Sequence, residues 1–323
     1  MRVSSDHETR ILPPHFGVYL WHFEGAAEMT MSWGIQAELG DRRVLRPGKW
    51  LPVRAIGWGV ALVFAIALAF GPGMEALAHA LPQQPAFQFV AHAAGACIVL
   101  GAYAALVKLG EARNPTELDL SAAPANVLAG LTIGLVMFST VMAIMIAFGL
   151  YRLDYRGAAS AWVGAGLAIE SGVFEEVVVR GVVLRLMWRA FGPWTAFIVS
   201  AILFGAGHIG NPGATWFTTA SIAIEAGIML GAFYALTGRL WVSIGVHAGW
   251  NFTQGYLFGA AVSGSNFGEA IATSTAQTQF PKWLTGGTFG PEASLPSLAV
   301  CLAVGTVVLW LAWMKGRFAK SPA

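Results

Sequence analysis

The sequence predicts an all-α, polytopic membrane protein with about eight transmembrane helices. Three observations carry that prediction. Hydrophobic residues make up 56% of the 323 and charged residues only 11%, less than half of the ~25% usual in a soluble domain. Mean hydropathy is +0.62. Apolar runs near the ~20 residues needed to cross a hydrocarbon core recur between short polar or Gly/Pro breaks. The formal net charge of +2 says little about partners, because the placement of the charges matters more than their sum; no nucleic-acid partner is expected.

The runs follow in order. The first spans Val53 to Phe70 and should stop at Gly71-Pro72-Gly73; the second spans Phe87 to Leu109, and the third Asn126 to Leu150. The fourth runs from Ala159 to about Leu186. The fifth opens on Pro193, a favoured first-turn residue, and reaches His208 before the breaker Gly210-Asn211-Pro212-Gly213. The sixth spans Ala214 to Leu236 and ends at Gly238; the seventh spans Leu240 to Val262; the eighth spans Leu295 to Met314. Residues 51–323 thus form a membrane domain whose polar clusters fall within 159–262. The connection 263–294 reads as a Gly/Thr/Ser-rich loop and a candidate lid. Residues 1–50 lack sustained periodicity and are expected to be a poorly ordered tail. Internal Met29 and Met31 offer alternative translation starts, and the first long apolar run begins too far in for a signal peptide of ~15–30 residues.

With the N-terminus inside, all but Arg152, Arg156 and Lys282 of the 19 basic residues fall on the cytoplasmic side. The positive-inside rule therefore puts both termini in the cytoplasm, in a membrane expected to be the bacterial inner membrane. Cys97 and Cys301 lie in apolar runs without CxxC spacing and are expected as buried reduced thiols.

Three polar clusters interrupt the apolar runs. An ionisable side chain at bilayer depth costs about 2.5–3.5 kcal/mol even on insertion scales, so it marks a functional site by default. The fourth run reads FEEVVVRG from Phe174. Glu176 and Arg180 are four apart and can pair on one helix face, while Glu175 lies about 100° around the helix and points elsewhere. A desolvated carboxylate suits general-base work; the alternative is a buried ionic knot that only fixes packing. The fifth run places Phe204 and His208 four apart. The seventh places His247 and Asn251 four apart, able to donate together to an oxyanion or to bond across helices. Of the further polar groups within runs, His92 is expected to pack or bond between helices, Glu170 to pair or line a water path, Glu225 to make a cross-helix hydrogen bond or stay a neutral acid, and Gln254 to extend the polar face of Asn251.

The ordered set EExxxR, FxxxH and HxxxN, over Phe174 to Asn251, resembles the CPBP intramembrane proteases. That family includes type II CAAX prenyl proteases and proteins of bacteriocin processing and self-immunity. ARNPTEL at Ala112–Leu118, WLTGG from Trp283 and FGPE ending at Glu292 are weaker echoes; Val179 departs from the aromatic that often precedes the Arg. The resemblance implies a four-helix catalytic core and peptide-bond hydrolysis by an activated water. Glu175 and His208 would hold and deprotonate that water. His247 and Asn251 would stabilise the oxyanion, with Glu176 and Arg180 in support. The substrate would be a peptide or membrane-associated protein segment; nothing in the chain reads a prenyl group.

Zinc on Glu175, His208 and His247 would leave an open position for water, but HExxH is absent and a carboxylate with an imidazole can work without metal. Ser171 and Ser243 lack the setting of a nucleophile elbow. Two rivals remain: a non-enzymatic scaffold or immunity protein binding a partner, and a proton-coupled transporter using Glu225 and Glu175. The second would need matched broken helices, and no inverted repeat is seen. For the three clusters to meet, the fourth and fifth helices must extend beyond the bilayer, with Arg185 and Arg189 reaching water.

Overall fold

The computed structural model describes residues 34–318. Met29, Met31 and most of the expected tail lie outside the described residues. Within 34–50, Leu45 is fully buried and the Ile35 amide donates to the Thr237 carbonyl at 3.0 Å, while most of the stretch is exposed.

The architecture is all-α apart from one two-stranded ribbon. In chain order the elements are α1 (Leu51–Ala80), α2 (Pro85–Glu111), α3 (Ala123–Ala147), β1 (Tyr151–Tyr155), α4 (Trp162–Glu176), α5 (Arg185–Phe191) and α6 (Pro193–Gly207). There follow α7 (Trp216–Ile222), α8 (Met229–Thr237), α9 (Leu240–Phe252), β2 (Ala272–Ala276), α10 (Lys282–Thr285) and α11 (Leu295–Met314). Five helical segments are long and apolar enough to cross a membrane: α1, α2, α3, the joined α7–α8 rod and α11. The chain is an integral membrane protein.

Three rods are not uniform helices. A π-helical stretch, Val177–Leu184, joins α4 to α5; another, Ala223–Ile228, joins α7 to α8; a third, Thr253–Leu257, ends α9. π-Turns insert a residue into the helical ladder and recur at functional sites. Here each lies at or beside one of the sequence's buried polar positions: Arg180, Glu225 and Asn251.

The expected stop at Gly71-Pro72-Gly73 is not made, and α1 continues through Pro72 to Ala80. Proline removes one backbone donor, which a membrane helix tolerates when its neighbours support it. Gly73 gives close access to Ile98 of α2 there.

Burial orders the rods. Only 17% of the most apolar stretch of α1 is covered, against 67% for α7–α8, and every residue from Leu240 to Asn251 of α9 is buried. α9 is therefore the central rod, and glycines set its position. Gly130 and Gly134 of α3 face Gly245 and Gly249 of α9. A Cβ on Gly134 would come within 2.2 Å of the Val246 carbonyl oxygen, and one on Gly249 within 2.5 Å of the Leu131 carbonyl oxygen. Small residues four apart let two membrane helices touch backbone to backbone.

The 258–294 connection is laid onto the bundle. β2 pairs antiparallel with β1, Tyr151 opposite Ala276 and Tyr155 opposite Ala272. The Tyr151 hydroxyl donates to the Thr285 carbonyl at 2.9 Å, and the Gly264 amide to the Phe289 carbonyl at 2.7 Å.

At the opposite end of the rods sits a buried ionic cluster. Arg185 makes two bonds to Glu111, at 2.9 and 2.7 Å; Arg113 bridges Glu111 at 2.8 Å and Glu117 at 2.8 and 2.7 Å. Tyr103 donates to Glu117 and to the Gly181 carbonyl. Arg185 thus does not reach water as expected. It is fully buried, because the end of α2 brings Glu111 to it. Burial alone would raise the Glu117 carboxyl, but the Arg113 hydrogen bonds and the Arg185 charge outweigh that and hold it below its ordinary range. Cys97 departs from expectation too, being exposed on α2 while Cys301 is buried. An apolar run does not distinguish a lipid-facing side from a core-facing one.

Candidate active site

The glycine face of α9 determines where its polar residues point. At about 100° per residue, His247 and Asn251 lie roughly opposite Gly245 and Gly249. Docking that face on α3 turns the histidine and asparagine toward α4, where Gly172 closes against Ala248. The Asn251 amide then donates to the Ser171 hydroxyl at 3.1 Å, and His247 Nδ1 lies 3.0 Å from Glu176 Oε1.

Depth follows from counting. α6 turns back at Gly192 and runs 15 residues to Gly207, with His208 as its cap. The same count back from Phe191 through α5 and the π-stretch arrives at Glu176. His208 therefore returns to the level of the glutamates, and the joined α4–α5 rod is long enough to supply the extension that the sequence required.

Glu175 and Glu176 diverge as their spacing requires. Glu176 is fully buried and accepts from Arg180 Nη1 at 2.7 Å. Arg180 also donates to the Ala226 and Gly227 carbonyls, at 2.7 and 3.3 Å, and lies 4.8 Å from the Phe204 ring centre. Glu175 turns to the histidines. Its Oε2 stands 3.9 Å from Nε2 of His208 and 3.9 Å from Nε2 of His247. That oxygen is buried and has no hydrogen-bond partner in the protein.

Both imidazole orientations are dictated by their second nitrogen. His208 Nδ1 is 2.8 Å from the Phe204 carbonyl, which can only accept, so Nδ1 carries a proton and the neutral ring presents a lone pair on Nε2. His247 Nδ1 donates to Glu176, itself held by Arg180. Two polar atoms nearly 4 Å apart are a common setting for a bridging water. A cavity of about 40 Å³ adjoins the site, lined by His208, His247 and Asn251 among others, with room for about three or four waters at ~10–15 Å³ each.

The zinc set that the sequence allowed is not assembled. Donors at ~2.0–2.2 Å from one tetrahedral ion would lie closer together than these 3.9 Å separations. Among the described residues no three His, Cys, Asp or Glu side chains are grouped to hold a metal ion. The expectation of a metalloprotease is accordingly not supported.

Other polar groups resolve individually. His92 pairs with Glu170 at 2.7 Å between α2 and α4. Gln254 accepts from Trp250 at 3.0 Å and donates to the Ala261 carbonyl at 2.5 Å, anchoring the start of the long connection. Glu225, Glu292, Ser263 and Cys301 line the cavity. Sequence reasoning assigned no role to Ser263 or to Glu292, whose contact crosses 29 residues. It also passed over the α3–α9 glycines, although two GxxxG spacings, Gly130/Gly134 and Gly245/Gly249, were a readable signal.

A search of curated proteins and a search of solved structures each return no match. Residues 157–253, somewhat under a third of the chain, match a family model described as type II CAAX prenyl endopeptidase Rce1-like. The match runs from just before α4 to just past Asn251 and so contains both glutamates, the arginine, both histidines and the asparagine. Three separated helices supply one polar centre within the matched segment, and that segment is similar to the type II CAAX prenyl endopeptidase Rce1-like family.

Proposed function

We propose that this protein is an intramembrane endopeptidase in which Glu175 and His208 activate a water. The observation that carries the reading is the unpartnered Glu175 Oε2 standing 3.9 Å from two imidazole Nε2 atoms. A water there accepts or donates to all three. Glu175 takes its proton as the oxygen attacks the peptide carbonyl, and His208 Nε2 holds the water in line. The carbonyl oxygen becomes an oxyanion. Asn251 has a second amide N–H beyond the one given to Ser171, and His247 contributes Nε2–H when doubly protonated. Collapse breaks the C–N bond as the proton passes from Glu175 to the leaving amine. Glu176 and Arg180, both fully buried, are positioning residues that hold the His247 ring.

The substrate is a peptide or membrane-associated protein segment. The catalytic core is 159–262 within a membrane domain of 51–323, preceded by a tail. Both termini are cytoplasmic in a bacterial inner membrane, on the strength of the basic-residue bias. The test is cleavage of a library of plain and prenylated peptides by detergent-purified protein, wild type beside Glu175→Ala. Cleavage by the wild type, lost in the variant, is expected. No cleavage by well-folded wild type across both peptide kinds would favour the partner-binding scaffold instead.

A further inference from the structure

The cavity beside the candidate site has acidic groups that the proposed mechanism does not use. Glu225, from the π-stretch between α7 and α8, and Glu292, from the turn before α11, both line it. They are 2% and 4% exposed. Glu292 is held in place by the Ser263 amide and hydroxyl, which donate to its Oε1 at 2.6 and 2.7 Å. Glu225 Oε2 is buried without a hydrogen-bond partner. No lysine or arginine is among the cavity's lining residues, and Arg180 nearby is committed to Glu176 and two carbonyls. Burial pushes the Glu292 carboxyl above its ordinary range, although Ser263 and His208 act against it.

A pair of buried acids whose only neighbouring cations in the cavity wall are the titratable imidazoles of His208 and His247, both already engaged in the site, has two low-cost states. One is protonated and empty. The other is ionised around a bound cation, because a second negative charge in an apolar cavity is otherwise costly. We infer that this wall is a subsite for the primary ammonium group of a substrate lysine side chain. The inference rests on the endopeptidase reading above. An ammonium is about the size of a water and brings three donors, which suits a cavity of about 40 Å³ better than a planar guanidinium does. Ile222, Met229 and Trp250 line the same space and would cover the methylene stem. A metal ion fits less well, since no three-ligand group is present among the described residues.

The test has two arms. In the first, the melting temperature of purified protein is compared in n-butylammonium chloride and in n-butanol at matched ionic strength, for wild type and Glu225→Gln. A higher value in butylammonium for the wild type, absent in Glu225→Gln, is expected. Equal values for the wild type would overturn the subsite, and that comparison needs no variant to fold. In the second, paired peptides carry lysine or norleucine at one position. The wild type should favour lysine at least tenfold in kcat/KM, and Glu225→Gln and Glu292→Gln should bring the ratio to within twofold of one. A wild type indifferent to lysine, or a preference surviving both substitutions, would overturn it. A butylammonium-specific shift without any peptide cleavage would keep the subsite and sink the endopeptidase reading. Cleavage with neither shift nor preference would do the reverse.

Discussion

Glu176 Oε1 lies 3.0 Å from His247 Nδ1, across 71 residues of sequence. This contact joins the fourth and seventh apolar runs and, with Arg180 on the same carboxylate oxygen, fixes the imidazole whose other nitrogen faces Glu175. Adjacent glutamates thus have different environments: one is closed in an ion pair with Arg180, and the other makes no ion pair with arginine and stands 3.9 Å from both histidine Nε2 atoms.

The difference predicts opposite responses to substitution. Glu175→Gln should lower kcat by about 10²–10⁴-fold, the range for loss of a general base. It should leave the melting temperature nearly unchanged, because Glu175 Oε2 has no protein partner to lose. Peptide turnover and thermal melting of the same preparation check both halves. Activity near the wild-type level would remove Glu175 from the mechanism.

Glu176→Gln should instead destabilise the fold. It leaves the Arg180 guanidinium buried without its counter-charge, at a cost of about 3–5 kcal/mol. A clear fall in melting temperature together with lost activity is expected. Replacing both partners, as Glu176→Gln with Arg180→Met, should recover part of the stability but not the turnover.

Gly134→Val tests the helix contact that aims α9. Its Cβ would meet the Val246 carbonyl oxygen at 2.2 Å, too close for backbone to absorb without movement. Overpacking of this kind costs about 1–3 kcal/mol or more. Cross-linking between cysteines introduced on α3 and α9 should weaken, and turnover should fall although no polar group has changed. Gly101→Val, at a glycine with open space around it, is the control.

The ionic cluster predicts an acid limit. Glu117 is held below its ordinary carboxylate range in the folded protein. The stability it contributes is therefore fully present above its unfolded value of about 4.3. It is lost as pH falls through the lower folded value. Thermal melting from pH 7 to pH 3 should drop steeply at the acid end. Glu117→Gln should be less stable at neutral pH and show a flatter acid limb; an identical pH profile would remove Glu117 as a source of the effect.

The donor geometry around Glu175 predicts that cleavage survives exhaustive dialysis against a strong chelator. Loss of turnover restored by zinc alone would show that the histidines and Glu175 rearrange around a metal ion.

Much of the architecture was legible in the chain. Apolar length and spacing located the helical rods because a hydrocarbon core demands runs of a narrow length. The i, i+4 spacing of Glu176 and Arg180 foretold their ion pair, and 100° of rotation foretold that Glu175 would leave it. The same reasoning misread Gly71-Pro72-Gly73, since a break in propensity is overridden where a neighbouring helix supports the backbone.

What the sequence alone determined was the helical, membrane-embedded character of the chain and which polar residues would share a helix face, both consequences of local periodicity. Tertiary structure decided which of those faces meet. The α3–α9 glycine contact, the return of α6 to the level of Glu176 and the three π-stretches bring Glu175 to His208 and His247, and Glu292 to Ser263. Those pairings depend on helix rotation and depth, which arise from close packing between distant segments; the two GxxxG spacings mark faces able to dock, but not which helix each meets or at what depth.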